Sequence, residues 1–486
     1  MSETPSASSP RELPPRAPDY PLVGVLPRLV RNPDSFLRET QRTCGDIFSM
    51  SLGFTDTIAV AHPRHAQHIL VDKAKNYTKT GPMWDSMRTF MGNALPISEG
   101  AYWKRQRKLV QPAFHHQRVS LMADNLVTII DEHLGEWEAA ARSGSPLETS
   151  SAVLRMAMGV MVRSLFGSTL PKDDARRINE AVTYIMDYFT LGMATNTAPT
   201  WVPVPGRARY FREIKLIDEI IGHFIEQARA GKADDGTALS MMLQAVDLES
   251  GEGMTNEELR NEALGFFVAG YDTTATSVIW LLHLLTQNPG AFEKVRAEQE
   301  AVLGERRPGF ADLMRMPYLR NSLHESMRIH SPSIWLSRMA EEDDEIDGYH
   351  IPAGKVIVIF VHLIHHHAGV WGDPERFDPD RWLPERAEGR HKLAWLPFGA
   401  GKHQCLAKDF SMMESMLMVS RVLSRFTLSS VPGRIAQPKL GTSLRPKDGV
   451  WLNVHPRVPS IRTPGEAMPP PAETSGAQPR VASDKA

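Results

Sequence analysis

Cys405 stands in a ten-residue stretch, Phe398-Gly-Ala-Gly-Lys-His-Gln-Cys-Leu-Ala407, which leads into an apolar-periodic helical run from Leu406 to about Phe426. A thiolate at a helix N-terminus is stabilised by the unsatisfied N–H groups there and by the positive end of the dipole. The thiolate is also the form in which cysteine binds metal. Gly399 and Gly401 let the backbone turn tightly and approach a flat ligand, which side chains would block. A lone cysteine is more often a small buried filler. That bland reading leaves the rest of the ten-residue pattern unexplained.

Three further constellations invite chemistry. Ala269-Gly-Tyr-Asp-Thr-Thr274 lies inside a long apolar helical run. Mid-helix glycine costs about 1 kcal/mol relative to alanine, and an Asp–Thr pair adds polar groups that must be satisfied. A close helix crossing is the plain alternative. Trp103-Lys-Arg-Gln-Arg107 sets an aromatic and a cation at i, i+4, and Glu325-Ser-Met-Arg328 sets an acid and a base at i, i+3. His362 and His365-His-His367 suggest a metal, but no carboxylate or cysteine stands near them in a recognised register, so a polar helix end is the better reading.

The cysteine stretch resembles the ligand loop of the cytochrome P-450 family, the haem-thiolate monooxygenases. Phe398, Gly401, His403, Cys405 and Ala407 fit its spacing, with His403 where Arg is commoner and Ala407 where Gly is commoner. Ala269 to Thr274 resembles the family's oxygen-binding groove at every position. The resemblance implies haem b, with Cys405 as the axial iron ligand whose thiolate favours O–O cleavage. Ala269 and Gly270 would leave room for O2. Thr273 would hydrogen-bond the bound oxygen and Asp272 would relay protons, while Thr274 would serve helix packing.

Trp103, Arg107, Arg338 and His403 would bind propionates, and Phe398 and Gly399 would flank the iron loop. Glu325 and Arg328 would form a structural triad with Arg381; Arg376 is a look-alike at the wrong distance from Cys405. The family lines its substrate pocket from segments that here hold Met83, Trp84, Met87, Phe90, Phe266, Val268, Ile334, Trp335, Leu336 and Ser443. Their composition predicts an apolar, adaptable pocket for a terpenoid, steroid, fatty acid or polyketide-like molecule.

The elements that must position these residues are mainly helical. The resemblance implies a large helical domain with a small β-rich lobe over residues 19–458. Residues 1–18 and 459–486, rich in Ser, Pro and Ala, read as disordered. Thr255-Asn-Glu-Glu258 has capping-box spacing and opens the helix that carries the groove, ending near Gln287 before Asn288-Pro289. Ile47 to Val60 reads as a hairpin, Trp103 to Phe114 as a basic helix, and Met83 to Ser98 as a long mobile loop.

Across 486 residues the charge is −2, which gives no general reason to bind nucleic acid. Two cysteines, Cys44 and Cys405, cannot build a disulfide framework. The lack of an apolar leader predicts a soluble, cytoplasmic, bacterial monomer without a membrane anchor. No flavin- or nicotinamide-binding segment follows Cys405, so electrons are expected from a ferredoxin or flavodoxin with its reductase. Lys104, Arg105, Lys108, Arg118, Lys402 and Lys408 are the expected docking cations. A peroxide-driven peroxygenase or hydroperoxide isomerase, and a non-catalytic haem or lipid carrier, are the competing readings.

Overall fold

The computed structural model describes residues 12–52, 55–167, 172–195, 203–231, 236–440 and 443–457. The expected disordered ends therefore lie outside the described residues, except for 12–18. That part needs correcting. Ala17 N–H donates to Ser49 O, Ser49 N–H donates to Pro15 O, and His350 N–H donates to Glu12 O, so the chain is held to the sheet from residue 12. Proline and charge at the surface did not prevent pairing, because the bonds are backbone bonds and Ala17 is small enough to be buried.

Helices form the bulk of the molecule. The elements that matter here are α1 (Pro82–Met91), α2 (Gly100–Val110), α3 (Thr149–Phe166), α4 (Asn256–Gln287), α5 (Pro317–Ile329) and α6 (Lys408–Arg425). Helix α4 has 32 residues, about 48 Å at 1.5 Å per residue, enough to cross the molecule. It starts where the capping box places it: Glu258 N–H donates to Thr255 Oγ1 at 3.1 Å, and Thr255 N–H donates to Glu258 Oε2 at 2.8 Å. From Thr274 to His283 it is buried on every side, with Val278 and Trp280 fully enclosed. That stretch carries no charge because it runs through the core.

The segment expected as a loop after Met83 is instead the helix α1. Proline at its first turn and glycine at both ends mark it, and Trp84, Met87 and Met91 recur at helical spacing.

The β-lobe holds a five-stranded sheet built from β1 (Ile47–Leu52), β2 (Thr55–Val60), β3 (Tyr77–Thr78), β4 (Leu336–Ala340) and β5 (Val356–Ile359). Their order is β1-β2-β5-β4-β3, with β2 and β5 parallel and the other pairs antiparallel. Alternate residues feed two cores. Ile58, Val60, Ile357 and Ile359 pack on one face, and Phe48, Met50, Ala59 and Val358 on the other. A three-stranded sheet, Leu147–Glu148 with Trp451–Pro456 and Phe426–Ser430, closes the far side.

Helix α5 is tied to the 365–382 segment by a buried knot of charge. Arg328 makes a bidentate pair with Glu325, both bonds at 2.9 Å and both side chains fully buried. Arg381 Nε and Trp382 Nε1 each donate to the same carboxylate at 3.1 Å. Arg328 spends its remaining donors on the carbonyls of His365, Pro374 and Arg376. Arg376 thus contributes a carbonyl to this knot and Arg381 a guanidinium.

Candidate functional site

The cysteine loop and the middle of α4 face each other across a cavity of about 340 Å³. Ala269, Gly270, Thr273, Thr274 and Ser277 line one wall, all on one stripe of α4. Phe398 to Ala400, His403 to Ala407 and Phe410 line the other. The helix after the cysteine begins at Lys408, two residues later than the sequence reading had it, so Cys405 precedes the first turn. Its N–H donates to Phe398 O at 2.9 Å, which closes the loop. Burial pushes the Cys405 thiol up, against the Ala407 amide and the Arg107 charge. The helix end alone does not make this sulfur a thiolate; a bound cation would have to.

Gly401 has φ +68°, and a Cβ there would meet Leu70 O at 2.0 Å. Its glycine is required by backbone packing against the 68–72 turn and not by approach to a ligand. A Cβ on Gly270 would meet Met161 Cε of α3 at 1.8 Å. The contact is with the end of a flexible side chain that can move aside, so the helix crossing alone does not demand the glycine.

The two ends of the cavity differ in chemistry. One end is cationic. Lys79 is buried and donates to Pro96 O at 2.7 Å; Arg107 donates to Gln404 O at 3.1 Å; Arg338 is buried beside them and donates to Ser337 O. His403 packs on Trp103 with ring centroids 4.3 Å apart, and its Nδ1 is buried without a partner. These groups surround one acid, Glu99, whose Oε1 lies 2.9 Å from His403 Nε2. Burial would raise Glu99, but His403, Lys402 and Lys79 pull it down to about 2. Burial lowers His403 to about 4, so the pair stands as a carboxylate beside a neutral imidazole. Lys79 is pushed well below its ordinary value by burial and by Arg338. Four basic side chains, Lys79, Arg107, Arg338 and Lys402, for one acid is an unbalanced set, and buried charge seeks a partner.

The other end is apolar: Phe114, Met122, Met161, Leu165 and Phe266, with the Phe114 and Phe266 rings 5.3 Å apart. A flat apolar group carrying carboxylates on one edge fits this cavity, and a cysteine faces its middle. Haem b meets that description. Lys79 and Glu99 escaped the sequence reading, since nothing local to either marks it.

Of the other residues read from sequence, Trp84, Phe266 and Leu336 line the cavity. Met83, Val268, Met87 and Phe90 do not; Met87 and Phe90 pack into the helical core instead. Ile334 is buried, and Trp335 joins the core under the first hairpin. Ser443 is no pocket residue: its hydroxyl donates to Asp272 Oδ2 at 3.1 Å. Asp272 itself is turned away from the cavity and pairs with Arg445 at 2.7 Å. Thr273 donates its proton to Ala269 O at 2.7 Å, which leaves its lone pairs for the cavity. Thr274 meets Ser411 at 3.0 Å, beside the fully buried Glu414, which burial pushes well above the carboxylate range.

The histidine tract disperses. His362 pairs with Asp34, His365 accepts from Leu396 N–H, and His366 bonds back to its own helix. His367 meets Asp46 near His62, a trio close enough to hold an ion. His62 Nδ1 already accepts Arg64 N–H at 3.2 Å.

The chain matches the Cytochrome P450 family over residues 14–453 and belongs to it. It is 32% identical to the cyclooctat-9-en-7-ol 5-monooxygenase of Streptomyces melanosporofaciens, over 85% of this chain and 89% of that protein. Cyclooctatin synthase of the same organism is 29% identical over 87% and 92%. Pentalenene oxygenase of Streptomyces avermitilis is 24% identical over 88% and 94%. The crystal structure of the cytochrome P450DA heme domain superposes with a TM-score of 0.85 at 24% identity, covering 93% of this chain and 99% of that one. This protein is thus a monooxygenase of the P450 class with a P450 fold, and membership implies haem, O2, an apolar substrate and a source of electrons. Among the described residues no helix is long and apolar enough to cross a membrane.

Proposed function

We propose that this enzyme inserts one oxygen atom of O2 into a cyclic terpenoid, using electrons from a separate ferredoxin or flavodoxin and its reductase. The observation that carries the reading is one apolar cavity faced by both Cys405 and the Thr273 hydroxyl. The names of the three Streptomyces relatives favour a terpenoid over the steroid, fatty acid and polyketide alternatives.

Bound haem supplies the iron that activates oxygen. Cys405 would be its ligand, while Trp103, Arg107, Arg338, His403 and Lys79 would hold its carboxylates. Thr273, its own proton committed to Ala269 O, accepts a hydrogen bond at the oxygen site and positions a proton-bearing group there. Asp272 carries protons inward once its carboxylate leaves Arg445 and Ser443. Trp84, Leu95, Pro96 and Leu336 exclude water from the reacting carbon. On the cysteine-loop face, Arg105, Lys108 and Lys402 already neighbour Glu258, Glu249 and Glu99. The docking charge therefore rests on Lys104, Arg118 and Lys408.

The test is turnover of cyclic terpene hydrocarbons and alcohols by the haem-loaded protein with a ferredoxin, its reductase and NADPH under isotopically labelled O2. One labelled oxygen per product molecule is the expected result. Equal product from hydrogen peroxide alone would establish the peroxygenase reading, and binding with efficient reduction but no product would establish the carrier.

A further inference from the structure

Histidine meets carboxylate at several places in this molecule. His362 with Asp34, His68 with Asp344 and His65 with Asp347 stand 2.6, 2.7 and 2.8 Å apart, the closed range of a charge-assisted hydrogen bond. His367 with Asp46 is different: its Nε2 lies 3.2 Å from both carboxylate oxygens. That is long for such a bond, and it favours neither oxygen. It is close to the separation of two ligands on one tetrahedral ion, about 3.3 Å when each lies about 2.0–2.1 Å from the metal.

His62 supplies a third ligand. Its ring stands edge-on to that of His367 with centroids 5.1 Å apart, and one donor atom from each of Asp46, His62 and His367 lies within 4.8 Å of the other two. Burial lowers His62 to about 4, Asp46 opposing and His367 adding, so the imidazole is neutral, the form that binds metal. Burial would raise Asp46, but His367 and Gln41 hold it below its ordinary value, so it is a carboxylate. Gln41 Nε2 donates to Asp46 Oδ1 at 2.8 Å, the kind of outer bond that orients a ligating carboxylate. An ion on Nε2 of each ring leaves the ring proton on Nδ1. His367 Nδ1 has no partner to give up. His62 Nδ1 gives up the Arg64 N–H, and Arg64 is exposed, so water takes its place. All three ligand residues are partly exposed, which opens the fourth position to solvent.

We propose that Asp46, His62 and His367 form a three-ligand site for zinc or another borderline divalent cation, with water in the fourth position. It lies apart from the cavity, which none of the three residues lines. Asp46 stands just before β1, His62 just after β2, and His367 opens the helical turn Ala368–Trp371, whose last carbonyl accepts Arg381 of the Glu325 knot. The ion therefore joins the first hairpin to the segment that α5 holds, across 321 positions of chain. Its effect is on stability, because an ion bound by the folded chain adds stability that rises with the ion's concentration. The inference depends on neither the substrate nor the electron donor.

The test is equilibrium dialysis of the untagged, haem-loaded full chain against zinc chloride, with zinc counted separately from haem iron, and a thermal scan over the same zinc concentrations. Expected is one zinc per chain and a midpoint that climbs with zinc but not with magnesium or calcium, which prefer all-oxygen sites. Asp46→Asn, His62→Gln and His367→Gln keep polar side chains of similar size. Each should weaken zinc by about a hundredfold or more and flatten the response of the midpoint. His362→Gln and His68→Gln, taken from pairs closed by direct hydrogen bonds, should bind zinc as the parent does. An unchanged carbon monoxide spectrum checks that each variant is folded. No zinc on the parent, or a parent midpoint that does not move with zinc, overturns the proposal. So does zinc that the three ligand variants retain or that His362→Gln or His68→Gln releases, since the ion would then sit on another pair.

Discussion

At the scale of single residues, Thr273 and Asp272 are set up differently. Thr273 faces the cavity with its proton already given to Ala269 O, whereas Asp272 is held outside it by Arg445 and Ser443. Thr273→Ala should keep the substrate-induced spectral shift and the NADPH consumption, but divert electrons to hydrogen peroxide, measured as product formed per NADPH oxidised. Arg445→Gln removes the charge that holds Asp272 outside. It should change the pH profile and the solvent isotope effect of turnover while leaving substrate affinity within about twofold, a change of under 0.5 kcal/mol. Unaltered coupling in the first variant, or an unaltered pH profile in the second, would remove these residues from the proton path. Lys79→Met tests the cationic end: it keeps the buried stem and deletes the charge. Haem affinity of the apoprotein should fall by on the order of tenfold or more, as for loss of a charge-assisted hydrogen bond of about 1.5–3 kcal/mol.

At the scale of elements, α4 anchors the chain that covers the cavity. Both carboxylate oxygens of Glu262 accept the Leu95 N–H, just before Pro96 on the cavity wall. Burial pushes Glu262 up to about 8, the Leu95 amide opposing and Glu258 adding to the rise. Unfolded, the same carboxyl ionises near an ordinary value of about 4.3. Between those values the unfolded chain has released a proton that the folded chain still holds. Stability from this group is therefore full below about pH 4 and falls as pH rises toward 8, with an upper limit of about 1.4 kcal/mol per pH unit. Glu262→Gln keeps an acceptor for Leu95 and cannot ionise. Its thermal midpoint should change less between pH 5.5 and 7.5 than the parent's, and parallel curves would show that Glu262 is already ionised when folded. Gly401→Ala forces a Cβ against the Leu70 carbonyl at a positive φ. The cysteine loop must then shift, and haem content should drop even though residue 401 needs touch no haem atom.

At the scale of the whole molecule, one carboxylate joins α5 to the 378–382 segment, which precedes the cysteine loop in the chain. Glu325 takes bonds from Arg328, Arg381, Trp382 and the Asp378 amide in a fully buried position. Glu325→Gln leaves two guanidinium groups without their counter-charge, a loss of roughly 3–5 kcal/mol for a buried pair broken from one side. The expected outcome is a protein that unfolds many degrees lower or accumulates without haem, read by thermal scan and haem-to-protein ratio.

The sequence by itself determined the features whose physics is local. The capping box at Thr255, the stretch from Ala269 to Thr274 and the loop closing on Cys405 each depend on residues within a few positions of one another. Such patterns are visible in the sequence, and the last two carried the resemblance to the family. Tertiary structure decided what depends on residues far apart in the chain. Lys79, Glu99, Arg338 and His403 meet at one end of the cavity although they span more than three hundred residues, and neither Lys79 nor Glu99 has a local pattern that announces it. Ser443 and Asp272 meet 171 positions apart, which took the serine out of the pocket and turned the acid away from it. The segment after Met83 folds as a helix because α4 and the core beneath it give Met87 and Phe90 something to pack on. Burial and charge set the proton affinities of Glu262, Lys79 and Glu414, and neither quantity exists until the chain has folded around them.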